Sequence, residues 1–66
     1  MTLYELLFRT DYDVVVTVQV NICGTMFNNT QACSHWLSDK FNEVLTCNVI
    51  GIRSQETGIS VEVVKN

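Results

Sequence analysis

Leu3, Leu6 and Leu7 in the opening TLYELLF recur at the spacing of one helix face, and Tyr4 with Phe8 makes a second contact line. Thr2 precedes Glu5 at the separation that lets each side chain satisfy the other's free amide, so the pattern predicts a short helix from Leu3. An edge strand over residues 3 to 9 is the competing reading. A helix this short is not stable alone and must dock. Asp11-Tyr12-Asp13 then interrupts the pattern with turn-forming residues.

Strict alternation follows. In VVVTVQVNI, residues 14 to 22, Val14, Val16, Val18, Val20 and Ile22 fall on one face; Thr17, Gln19 and Asn21 fall on the other with Val15. Gly24 permits a reversal into a short returning strand through Thr25, Met26 and Phe27. Asn29 or Thr30 is placed to cap an amphipathic helix from about Gln31 to Asn42, whose apolar stripe is Cys33, Leu37, Phe41 and Val44 with Trp36. The last third reads as a hairpin turning through Ser54 to Gly58. Ile59, Val61 and Val63 give its second strand one buried face. The strand before it carries Leu45, Cys47 and Val49 on one face and Ile50 and Ile52 on the other, which predicts a central strand or one covered by a partner. The predicted fold class is α+β: a small antiparallel β-sheet, a short N-terminal helix and one amphipathic helix packed on one face, in the order α-β-β-α-β-β.

Composition narrows the function. The 66 residues make one small domain, and 47% apolar against 17% charged residues is too hydrophobic for disorder. The formal charge is −3, with Arg9, Lys40, Arg53 and Lys65 scattered singly, so direct nucleic-acid binding is disfavoured. No apolar run approaches a membrane span and no secretory signal opens the chain, so a cytoplasmic location is expected, with no membrane partner. Asn28-Asn29-Thr30 matches a glycosylation sequon but reads as a turn and helix cap.

Reactive groups are few. Cys23, Cys33, His35 and Cys47 are the residues from which a zinc site would be built, but no knuckle spacing joins them, and Cys33 and Cys47 sit at core positions. Cys33 and His35, two apart on a helix, point about 200° from one another and cannot form a nucleophile pair. No catalytic residue, metal or cofactor is therefore expected, and the chain is read as a non-enzyme; a thiol- or metal-dependent activity of Cys23, Cys33 or Cys47 is the enzyme-class alternative. Asp39 and Glu43, one helical turn apart, make an acidic face that would adjust association with a partner or, less simply, imitate DNA phosphates.

Large apolar side chains pose the more useful question. One helix covers one face of a sheet, so Ile50 and Ile52 on the other face are either covered by the first helix through Leu6 and Phe8 or mark a partner-binding patch or homodimer interface. The candidate partner-binding residues are Trp36, Asp39, Glu43, Ile50 and Ile52.

The run Met1-Thr2-Leu3-Tyr4-Glu5-Leu6-Leu7, followed by Asp11-Tyr12-Asp13 and the valine strand, resembles small uncharacterised proteins of phages, prophages and mobile elements of low-GC Gram-positive bacteria. NVIGIRSQETGISVEVV looks like the closing hairpin of those proteins. The resemblance implies a protein that acts in the bacterial host cell by binding and blocking a host protein, with CRISPR nucleases and other defence enzymes among the targets. The alternatives are a structural module that forms a homo-oligomer and an acidic DNA mimic that inhibits a DNA-processing enzyme.

Overall fold

The computed structural model describes residues 1–22 and 24–65; Cys23 and Asn66, and the side chains of Ile22 and Asp39, lie outside the description. The capping box at the start forms as the sequence predicts. Glu5 N–H donates to the Thr2 hydroxyl at 3.2 Å, and Thr2 N–H donates to the Glu5 carboxylate at 3.1 Å. Helix α1, Leu3–Phe8, follows with Leu3 and Leu7 buried and Leu6 half-buried. Tyr4 and Phe8 form a second line, but it points outward, where the two rings stack at 5.8 Å.

Strand β1, Val15–Ile22, buries Val16, Val18 and Val20 on the face that its alternation assigns to the core. It turns at Gly24, whose φ of 82° suits glycine, into β2, Thr25–Ala32. Here the structure differs from expectation. The returning strand takes up all of Asn28 to Ala32, so no helix starts at Gln31, and neither Asn29 nor Thr30 is a cap. The expected single helix of residues 31 to 42 is instead three short pieces: α2, Cys33–Trp36, a 3-10 turn, Asp39–Phe41, and α3, Asn42–Leu45. The break falls where Ser38 adopts an extended backbone (ψ 159°) and its hydroxyl donates to the His35 carbonyl, local bonding that competes with helix continuation. Leu37 and Phe41 are consequently half-buried rather than core residues.

Strands β3, Asn48–Gln55, and β4, Gly58–Val64, close the chain as the predicted hairpin. The sheet order is β2-β1-β4-β3. Both hairpins are antiparallel, but β1 and β4 run parallel, Val16 beside Ile59, Val18 beside Val61 and Val20 beside Val63. The sheet is thus mixed, not antiparallel. The reason is the helical segment: it leaves the end of β2 at one edge and delivers the chain to β3 at the other, a crossover long enough to return the second hairpin in parallel. The central strands are therefore β1 and β4, and β3 is an edge strand, which removes the central placement from the two readings of its apolar faces and leaves cover by a partner.

The core lies between the sheet and the crossing helices. Leu3, Leu7, Val16, Val18, Cys33, Trp36, Leu45, Cys47, Val61 and Val63 are all buried in one cluster. Leu45 and Cys47, read from sequence as one face of a strand, belong to α3 and to the link that follows it. Gly58, with φ 156°, lies so close to β1 that a Cβ there would collide with the Val15 carbonyl.

Candidate functional site

The β3 edge holds the two isoleucines singled out from sequence. Ile50 is 56% exposed and Ile52 is 52% exposed, so α1 does not cover either of them. Pairing between β3 and β4 slips between Val49 and Gly51, leaving Ile50 as the extra residue of a bulge. Beyond the slip, Gly51 pairs with Glu62 and Ile52 with Val61, whereas Val49 pairs with Val63. Residues directly opposite share a face, so Ile52 sits in register with the core row and not on the face that simple alternation from Ile50 assigns. The bulge takes Ile52 off the face that simple alternation shares with Ile50, while both stay exposed on the same edge strand.

A hollow of about 270 Å³ opens at this bulge, lined by Gln19, Ile50, Gly51, Ile52, Arg53, Ser60 and Glu62. Gly51 makes room for it: the Glu62 side chain comes within 3.8 Å of where a Gly51 Cβ would stand. The hollow has a guanidinium and a carboxylate in its lining with an isoleucine on either side of Gly51. Such a surface offers apolar contact together with donors and acceptors of both charges.

Gln19, Arg53, Ser60 and Glu62 were not singled out from sequence. The signal was Gly51 inside an apolar strand pattern, which marks a bulge or a close approach of another group.

The other candidates are dispersed. Trp36 is only 2% exposed, and its indole N–H donates to the Val16 carbonyl at 2.9 Å; Phe41 packs tilted against it at 4.8 Å. This places Trp36 in the core, with little of its surface exposed. Glu43 is exposed on α3 and does not line the hollow. Asp39 begins the 3-10 turn, and its side chain lies outside the described residues.

The thiol chemistry is equally constrained. Cys33 is buried and its Sγ donates to the Leu7 carbonyl at 3.3 Å, while His35, on the same short helix, is exposed. Burial pushes the Cys33 thiol above its usual range, and the Asp11 carboxylate adds to the shift. Burial likewise raises the Cys47 thiol, against a smaller opposing effect of Lys65; its Sγ donates to the Glu43 carbonyl at 3.4 Å. Cys23 lies outside the described residues. Among the described residues, no group of three or more His, Cys, Asp and Glu side chains could hold a metal ion, and no helix is long and apolar enough to cross a membrane.

No family model, curated protein or solved structure matches this chain.

Proposed function

We propose that this chain is a non-enzymatic protein-binding module that acts as a stoichiometric inhibitor of a bacterial defence protein in the cytoplasm of the host cell. The observation that carries the binding role is the exposed pair Ile50 and Ile52 flanking Gly51 beside a hollow that also contains Arg53 and Glu62. Large aliphatic residues left on an edge strand next to convergent polar groups are the composition of an interface core and rim. The inhibitory role and the defence-protein target rest on the resemblance of the N-terminal run and closing hairpin to small phage-type proteins.

The test has two stages. Capture from lysate of a low-GC Gram-positive host identifies the partner, and titration of its activity against the purified chain follows. A stoichiometric blocker saturates at a fixed molar ratio, because each copy stays in the complex. Replacing Ile50 and Ile52 together by serine weakens the complex at least tenfold, whereas Asp39→Asn with Glu43→Gln alters chiefly its salt dependence. Inactivation of the target at sub-stoichiometric ratios overturns the reading in favour of an enzyme. Loss of binding only in the charge variant favours the DNA mimic instead.

A further inference from the structure

The two edges of the sheet are unequal. On the outer side of β3, the Val49 N–H donates to the Met1 carbonyl at 2.8 Å and Thr2 bridges to Asn48, so the chain's own start covers the beginning of that edge. The same strand carries the bulge at Ile50 and the charge of Arg53. Covering, bulging and charging are the devices by which sheets prevent edge-to-edge pairing.

Among the described residues, strand β2 has none of them. It pairs with β1 without a slip from Thr25 beside Ile22 to Ala32 beside Val15, and residues 25 to 30 are all exposed. The sequence holds no Asp, Glu, Lys or Arg between Asp13 and Asp39 and no proline anywhere, so the whole β1–β2 hairpin is free of charge. Beside β2 on the core side runs a groove of about 300 Å³ among Val18, Val20, Phe27, Trp36, Phe41 and Val44.

We propose that β2 is a self-association edge, at which two copies of this chain pair β2 to β2, antiparallel about a two-fold axis near Asn28 and Asn29. A second copy is the occupant that the charge distribution selects. The chain carries a formal charge of −3, and copies meeting through most surfaces bring carboxylates together; β2 is the edge where they meet without doing so. Asn28, Asn29 and Gln31 supply side-chain amides for cross-strand bonds, whereas the Thr30 hydroxyl is already bonded to that of Thr17, and Phe27 extends the apolar groove toward its counterpart. Each copy has one such edge, so pairing uses it up and the assembly closes as a dimer. One strand pair falls short of the roughly 1,000 Å² of a stable interface, so the dimer is weak and concentration-dependent. This inference stands on β2 and is independent of the Ile50 and Ile52 surface.

Sedimentation equilibrium of the full chain over a concentration series tests it. The expected result is a monomer–dimer equilibrium that Asn28→Lys weakens at least tenfold and that Ile50→Ser with Ile52→Ser leaves intact. Asn28 is exposed, and an unchanged thermal midpoint verifies that the lysine variant folds. Nuclear Overhauser contacts between β2 backbones in a mixed labelled and unlabelled sample supply a readout that needs no variant. A chain that remains monomeric overturns the proposal, whether its β2 then stays unpaired or takes a strand from another protein. Growth beyond the dimer, a dimer indifferent to Asn28→Lys, or one abolished by the isoleucine changes overturns it as well.

Discussion

The indole N–H of Trp36 donates to the main-chain oxygen of Val16 at 2.9 Å, tying the crossing helices to a central strand from within the core. Trp36→Phe keeps most of the ring and removes the donor, which leaves a buried carbonyl without that partner and is expected to cost about 1–3 kcal/mol. Trp36→Ala, which also opens a cavity, is expected to cost about 3–5 kcal/mol. Leu37→Ala, at a half-buried position, should cost less than either. Urea denaturation of the three variants checks the order.

Gly58 and Gly51 should respond oppositely to alanine. At Gly58 a Cβ meets the Val15 carbonyl on a backbone with φ 156°, so Gly58→Ala must push apart the parallel pairing of β1 and β4. At Gly51 the nearest atoms are the Glu62 Cβ and Oε2, both at 3.8 Å, an ordinary contact. Circular dichroism melting is expected to show severe destabilisation in the first variant and a small change in the second.

Acid should act in part through Glu5. The Thr2 backbone N–H, then its hydroxyl, hold the Glu5 carboxyl below its usual range in the folded chain. A depressed folded value means that the contribution is complete above the unfolded value, about 4.3, and is lost as pH falls through the folded one. Glu5→Gln removes this proton-linked contribution, so the acid limb of its stability–pH curve below about pH 4.3 should be shallower than that of the parent.

Buried thiols should be slow to react. With both thiols raised by burial, Cys33 and Cys47 carry little thiolate at neutral pH, and neither side chain reaches solvent appreciably. A disulfide reagent is expected to label both within minutes in denaturant and only slowly in the folded chain. Cys33→Ser should fold but be less stable, because a more polar hydroxyl replaces a thiol at a fully buried site.

The sequence carried α1, β1, β4 and the closing hairpin legibly, because in each the burial of one face leaves a periodic trace. Leu3 and Leu7 are covered, Val16, Val18 and Val20 alternate inward, and Gly58 marks the turn. Strand β2 left no such trace: an edge strand exposed on both faces is held by hydrogen bonds on one side, and backbone bonding does not select side chains. Its polar Asn28-Asn29-Thr30 therefore read as a cap. Sequence also could not show that Trp36 turns inward, since an amphipathic stripe has the same spacing whether it meets a sheet or a partner. The bulge at Ile50 inverted the facing of Ile52, which a period of two cannot express. The hollow was signalled only by Gly51.

Parallel pairing at the centre of the sheet has a kinetic consequence. Each hairpin closes over a short loop, but β1 and β4 bring together residues from opposite halves of the chain, Val15 with Gly58 and Val20 with Val63. The entropy of closing that long loop must be met before the contacts that reward it exist, so the two hairpins are expected to form early and their docking to limit the folding rate. Until they dock, the inner faces of Val16, Val18, Val61 and Val63 stand open, and the helical crossover acts as the tether that sets how often they meet.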